Sequence, residues 1–301
     1  MTKEPINWIA VDWGTTNLRV WAMSAHGQIM DGNQSADGMG TIANGDGNFE
    51  AALLKLVEPW LSEHPLPVIA CGMVGAKKGW QEVPYAKAPC SPTTPLTQIQ
   101  TQSNQIKVYI HSGVSQDQPA DVMRGEETQV AGLLAEHPDF EGLICLPGTH
   151  SKWVVIRNGI IESFRTFLTG EMFSLVSKHS ILRLTTSSDG RDELAFHKGL
   201  MEAYEHPEQL LSNIFSLRAE SLLHDLDPIS AYSELSGLII GHELSGALST
   251  MENPKSIALI SSGGHSLNYK IAIETLGQSV KEYSATDLTL SGLRISRESL
   301  L

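Results

Sequence analysis

Cysteine is scarce: 301 residues contain three, Cys71, Cys90 and Cys145, each isolated in sequence. No pair falls in a C-x-x-C spacing, which excludes the usual zinc sites and a disulfide framework. Unpaired thiols in odd number fit a reducing compartment. Positive charge is also short, with 21 Lys and Arg against 34 Asp and Glu and a formal net charge of −13. That is the wrong sign for a nucleic-acid or acidic-membrane partner. It does not exclude a small anionic substrate, because the local field of a cleft can oppose the total. No apolar run is long enough to cross a bilayer, and the N-terminus enters a strand with no signal-peptide pattern, so a cytoplasmic protein is expected. Two catalytic motifs are missing as well. Without G-x-x-x-x-G-K-[ST] there is no P-loop, and Gly75-Ala76-Lys77-Lys78 has the wrong spacing for one. Without G-x-S-x-G there is no hydrolase elbow.

What is present is a globular composition, 41% hydrophobic and 18% charged, in a chain long enough for two lobes. The N-terminal lobe is expected over 1–140 and the C-terminal lobe over 141–301. Ile9 to Trp21 reads as a β-hairpin whose turn holds Asp12, Gly14, Thr15, Thr16 and Asn17, followed by Arg19. Gly14 lets an anion approach the backbone, the hydroxyls and amide add donors, and Asp12 is a candidate Mg²⁺ ligand. Ile144 to Ile156 repeats the grammar with Gly148, Thr149, His150, Ser151 and Lys152. Two such hairpins, separated by nearly half the chain, imply related half-molecules and not a solenoid. Facing each other across an interlobe cleft, they would cradle a triphosphate. Arg19 and Lys152 also read as strand residues pointing to solvent.

Strands are expected at Ile6–Asp12, Asn17–Met23, Gln28–Asn33, Pro67–Cys71 and Ile106–Ser112, with helices over Phe49–Glu63 and Met123–Glu136. The first lobe then runs β-β-β-α-β-α-β-α, with an irregular stretch from Gly72 to about Thr101. The second lobe opens with hairpins over Leu143–Arg165. Helices follow over Glu171–Arg183, Asp192–Tyr204, Pro207–His224 and Ile229–Thr250, then a strand at Ser256–Ile260 and a helix at His265–Leu276. Glu126 and Glu127 stand at a loop–helix junction, where either serves as a general base for a substrate hydroxyl or simply complements the positive helix end. Ser262-Gly263-Gly264 follows a strand and precedes a helix, where the backbone can lie flat against a nucleoside.

With these motifs assembled, the chain resembles the 2-dehydro-3-deoxygalactonokinase family, sugar-acid kinases that share the actin, hexokinase and Hsp70 fold. The likeness rests on Val11-Asp12-Trp13-Gly14-Thr15-Thr16-Asn17-Leu18-Arg19, on Gly72-Met73-Val74-Gly75 through Tyr85, and on Arg124-Gly125-Glu126-Glu127-Thr128-Gln129. Leu146-Pro147-Gly148-Thr149-His150-Ser151-Lys152-Trp153 and Phe167-Leu168-Thr169-Gly170-Glu171 complete it. It implies an α/β, two-lobed actin-like ATPase fold, a duplicated ribonuclease H-like unit with mixed sheets. It also implies ATP- and Mg²⁺-dependent phosphorylation of the 6-hydroxyl of 2-dehydro-3-deoxy-D-galactonate in galactonate catabolism. On that analogy Asp12 orients the metal, the hairpins hold the phosphates, and Ser262, Gly263 and Gly264 hold the nucleoside. The superfamily's second hairpin usually begins with Asp, and here that position is Leu146. The sugar acid needs a cation and hydroxyl partners. Gly72, Lys77, Trp80, Tyr85, Arg165, Glu171 and His179 are the candidates, with Arg183 a further cation. The expected partners are ATP and a small sugar acid, with no nucleic acid or membrane, and a homodimer is admitted. The rival readings are a phosphohydrolase on the same fold and a non-catalytic nucleotide-driven switch.

Overall fold

Strand β1 (Trp8–Trp13) alternates its side chains between two hydrophobic layers. Ile9, Val11 and Trp13 join one buried cluster with Leu18, Val20 and Leu53. Trp8 and Ala10 join another with Met23, Ile69, Cys71 and Leu293. A strand covered on both faces reads as a continuous apolar run, and this one does. The computed structural model describes residues 4–45, 47–249, 256–263 and 265–300. Gly264, expected in the nucleoside turn, lies outside the described residues.

The elements continue as β2 (Leu18–Met23), β3 (Ile29–Ser35), α1 (Met39–Asn44), α2 (Phe49–Val57), β4 (Leu66–Gly72), β5 (Ala86–Lys87), β6 (Leu96–Gln98), β7 (Ile106–His111), β8 (Val114–Asp117), β9 (Ala120–Met123) and α3 (Glu126–Glu136). Next come β10 (Gly142–Leu146), β11 (Ser151–Arg157), β12 (Ile160–Phe167), α4 (Thr169–His179), α5 (Glu193–Glu205), α6 (Leu210–Leu223), α7 (Pro228–Leu248), β13 (Ile257–Ser261), α8 (His265–Thr275), β14 (Val280–Ser284) and α9 (Ala285–Glu298). One sheet has the order β3-β2-β1-β4-β7-β6 and the other β12-β11-β10-β13-β14. In both, the hairpin pair is antiparallel and the next neighbour is parallel: β1 with β2 and then β4, β10 with β11 and then β13. The same order thus occurs twice, as the expected duplication requires.

The chain forms two units. One comprises residues 1–140, 157–163 and 285–301, and the other 141–156 and 164–284. Helix α9 therefore belongs to the first unit, whereas a single break after residue 140 assigns it to the second. Its docking on α3 explains why. A Cβ on Gly132 would sit 2.0 Å from the Leu288 carbonyl oxygen, and one on Gly292 2.0 Å from that of Thr128, so the helices touch backbone to backbone.

Several expected elements differ in detail. The order β-β-β-α-β-α-β-α fails between β4 and β7. Among the described residues that stretch holds a 3₁₀ turn at Met73–Gly75 and two short strands, and no α-helix. The expected helix from Met123 starts only at Glu126, because Met123 pairs with Val114 in β9 and Gly125 then turns the chain at φ +112°. Pro207–Gln209 forms a separate 3₁₀ turn ahead of α6. Helices α1 and α9 and strands β8, β9 and β14 have no counterpart in the sequence reading.

In the second unit the glycines of α7 bring it close to α5. Cβ atoms on Gly237 and Gly241 would lie 2.1 and 2.3 Å from the carbonyl oxygens of Phe196 and Leu200 on α5. Gly237→Ala should therefore destabilise, although alanine is the better helix former by about 1 kcal/mol. Separating two packed helices costs about 1–3 kcal/mol. A fall of a few degrees in thermal midpoint is expected, and an unchanged or raised midpoint would contradict the close packing.

Candidate active site

The first hairpin turn is built from below. Gly14 N–H donates to the Asn17 carbonyl at 2.9 Å and closes the turn. The glycine-rich segment after β3 then takes up the remaining carbonyls. Gly38 N–H donates to Thr16, Met39 N–H to Gly14 and Gly40 N–H to Thr15, at 3.2, 3.0 and 2.9 Å. Trp13 Nε1 donates to the Asp37 carbonyl at 2.9 Å. A Cβ on Gly38 would lie 2.3 Å from the Thr16 carbonyl carbon, so only glycine fits this buttress. Thr15, Thr16 and Asn17 are exposed above it.

Asp12 and Arg19 are register partners across β1 and β2, and Arg19 Nη1 donates to Asp12 Oδ2 at 3.3 Å. Arg19 is thus the counter-ion of Asp12 and does not simply project into solvent. Burial raises the Asp12 carboxyl above its ordinary value, Arg19 opposes that, and the Glu126 charge adds to it. Gly72 (φ +91°) closes the floor, since a Cβ there would meet the Trp13 carbonyl oxygen at 2.6 Å. A Cβ on Gly125 would in turn meet Gly72 Cα at 3.2 Å. The ends of β1 and β4 and the start of α3 therefore converge.

At that start the two carboxylates part company. Glu126 Oε2 accepts from Arg124 N–H at 3.0 Å and is half-buried. Glu127 Oε2 accepts from Gly125 N–H at 2.7 Å and is completely buried. Burial first, and then the Glu126 charge, push the Glu127 carboxyl up to about 8, against the pull of backbone N–H groups and Arg124. The group ionises near 4.5 when free. Between the two values the folded chain holds a proton that the unfolded chain has lost. Its contribution to stability is full below pH 4.5 and disappears as pH rises through about 8, by up to several kcal/mol. Glu127→Gln keeps the acceptor for Gly125 and should flatten the fall in thermal midpoint between acid and mildly alkaline pH. An unaltered slope in the variant would mean that Glu127 ionises normally.

Sequence reasoning quoted Arg124 only as part of a motif, yet it organises the neighbouring loop. It is 9% exposed, Nη2 donates to the Val83 carbonyl at 3.0 Å, and the guanidinium lies 4.2 Å from the centre of the Tyr85 ring. Its Nε and Nη1 are buried without a hydrogen-bond partner. Trp80 stands edge-on to Trp13 at 6.2 Å. The structure thus sets Gly72 and Trp80 against Trp13 of the first hairpin, holds Tyr85 on Arg124 and leaves Lys77 exposed.

In the second unit Leu146 pairs with Lys152. The start of α4 seats on the turn: Glu171 N–H donates to Thr149 at 2.9 Å, and a Cβ on Gly170 would strike the Gly148 carbonyl oxygen. His150 and Glu171 are joined through Nε2 and Oε2, so both belong to this turn. Ser151 is not presented to a ligand. Its hydroxyl is buried against Tyr269 at 2.7 Å, and Tyr269 and Trp153 both donate to the buried Glu243. Lys152 is 5% exposed and donates to the His150 carbonyl at 3.4 Å. It therefore braces the turn from inside.

Beside Gly148 and Thr149 opens a pocket of about 670 Å³, within the range of small-molecule sites. Phe173, Phe196, Tyr232, Ile239 and Ile240 form apolar walls, and Thr169, Ser233, Ser236, Asn268 and Tyr269 supply polar groups. Its lining holds two cations, Lys178 and Arg191, and no carboxylate. In a chain of −13 that lining is locally positive and electrostatically suited to an anion. Ser262 lines it, and Gly263 (φ +97°) follows in the turn. Arg165 and His179 are exposed, and neither they nor Glu171 line this pocket. Lys178 on α4, Tyr232 and Ser236 on α7 and Asn268 on α8 are far apart in sequence, and Arg191 stands in the loop ahead of α5, with no shared motif to flag them.

Among the described residues no three His, Cys, Asp or Glu side chains cluster as a metal site. Mg²⁺ carried on a nucleotide needs only one or two carboxylates besides phosphate and water. The half-buried Asp12, with Glu126 near enough to raise it, fits that donor set.

Known proteins resemble the chain over nearly its whole length. A family model described as 2-keto-3-deoxy-galactonokinase matches residues 12–295. The chain is 34% identical to the probable 2-dehydro-3-deoxygalactonokinase DgoK1 of Rhizobium meliloti, over 97% of this chain and 96% of the relative. It is 31% identical to the 2-dehydro-3-deoxygalactonokinase of Escherichia coli, over 95% and 96%. The crystal structure of a Sinorhizobium meliloti protein assigned to the same activity superposes with a TM-score of 0.91 at 34% identity, covering 97% of this chain and 99% of that one.

Proposed function

The chain belongs to the 2-keto-3-deoxy-galactonokinase family, and from that membership and the geometry above we propose that it transfers the γ-phosphoryl group of ATP to the 6-hydroxyl of 2-dehydro-3-deoxy-D-galactonate. One observation carries the reading. The same β-hairpin turn stands at the same place in two sheets of the same order, flanked by carboxylates in the first unit and by a cationic, acid-free pocket in the second. Phosphoryl transfer needs those two environments, one to accept a proton from the hydroxyl and one to hold the nucleotide anion.

In this reading the pocket of the second unit takes the nucleoside, with Arg191, Lys178 and the Gly148-Thr149 backbone directed to its phosphates. In the first unit the exposed Thr15, Thr16 and Asn17 are donors of the same kind. Asp12 would hold Mg²⁺, which neutralises charge on the phosphates when bound. Glu126 is the base that takes the proton of the attacking hydroxyl. Glu127, wholly buried, is a positioning residue that fixes Gly125 and the helix start. Tyr85 and the Arg124-braced loop supply a wall for the sugar acid.

A coupled ADP-release assay across a panel of 2-keto-3-deoxy sugar acids tests the proposal. ADP release dependent on such an acid, and negligible without it, is expected. Phosphate release at equal rate without any sugar acid would replace the kinase by a hydrolase.

A further inference from the structure

Helix α6 is apolar on both sides. Inward, Leu217 packs with Leu182, Leu235 and Leu238, and Leu210 and Ile214 lean on the same cluster. Arg218 Nη1 donates to Thr185 Oγ1 at 3.2 Å and ties the helix to the adjoining 3₁₀ turn Ile181–Leu184. Outward, Leu211 is 78% exposed, Phe215 63% and Leu222 64%. At 100° per residue these three fall on one face. Leu223, Leu184 and Ile181, at 74%, 61% and 48%, extend the surface. Ser212, Asn213, Ser216 and Glu220 occupy the remaining face, so the exposed apolar residues form a stripe beside the packed one, wider than burial within this chain requires.

The size and charge of the face identify what covers it. Taking ~200 Å² for each large side chain when fully exposed, these residues present on the order of 750 Å² of surface. That exceeds the ~300–600 Å² patch of a typical monomer and matches the ~800 Å² per partner of a standard interface. Over the whole of α6 and the adjoining turn only Arg183, Arg218 and Glu220 are charged, in a chain of net −13. Two copies of so acidic a chain repel each other over most of their surfaces. A nearly uncharged apolar stripe is where they meet without opposing like charges. A single stripe on a single helix also suits the self-complementary contact of a two-fold dimer.

We propose that the outer face of α6, with the Ile181–Leu184 turn, is the interface of a homodimer in which the α6 helices of two copies pack across a two-fold axis. Molar mass in solution tests it, by sedimentation or by light scattering on a sizing column. The wild-type chain should have twice the chain mass at micromolar concentration. Phe215→Glu combined with Leu222→Glu should return it to one chain mass with unchanged far-UV circular dichroism. Because two buried charges can also loosen α6, hydroxyl-radical footprinting of the unaltered protein gives a second readout. Phe215 and Leu222 should be protected when concentrated and labelled on dilution. A wild-type monomer throughout, or a dimer that survives both substitutions with these residues labelled, would overturn the proposal.

Discussion

Glu126→Gln should lower kcat by roughly 10²–10⁴-fold, the usual contribution of a general base, while KM for ATP changes little. The substitution removes only the proton-accepting charge. Gln retains an oxygen to accept from Arg124 N–H, as Glu126 Oε2 does at 3.0 Å, so α3 should keep its start and the chain its fold. Glu127→Gln is the control, because its carboxylate is inaccessible and already inclined to be protonated. It should shift stability with pH far more than turnover. Equal mild losses in the two variants would mean that neither carboxylate is the base, and a larger loss at Glu127 would exchange their roles.

Asp12→Asn should cost roughly a thousand-fold in kcat, about 4 kcal/mol of transition-state stabilisation, with the thermal midpoint little changed. The carboxylate lies at the end of β1 opposite Arg19, where Asn matches its volume and keeps an acceptor for the guanidinium. What is lost is the negative charge that would hold Mg²⁺ against the triphosphate, so the Mg²⁺ concentration for half-maximal activity should rise in parallel. Near-wild-type turnover with the same Mg²⁺ dependence would remove Asp12 from the mechanism.

The parts legible in the sequence are those where local pattern and tertiary placement coincide. The Asp12–Arg19 and Gly148–Lys152 hairpins are visible because apolar runs stop at glycine and hydroxyl residues, and strand alternation resumes after them. Ser262 is visible for the same reason, as a turn between a strand and a helix. What the pattern hides is contact between distant segments. The Gly38 buttress of the first turn depends on hydrogen bonds to residues more than twenty positions earlier. The role of Arg124 depends on Val83 and Tyr85, some forty positions away. Ser151 and Lys152 look like ligand donors in sequence, but strand pairing turns both into the core of the second unit. Helix α9 escapes notice because the glycines that dock it are spread over two helices. Of the expected sugar-acid residues, Gly72 and Trp80 belong with the first hairpin and Tyr85 with Arg124, whereas Glu171 is drawn to His150 by the seating of α4.

Phosphorus NMR of the products formed from ATP and 2-dehydro-3-deoxy-D-galactonate tests the central claim most directly. A phosphomonoester split by the two protons of a primary carbon, appearing in step with ADP, is the predicted spectrum. Inorganic phosphate in place of that ester would contradict the account.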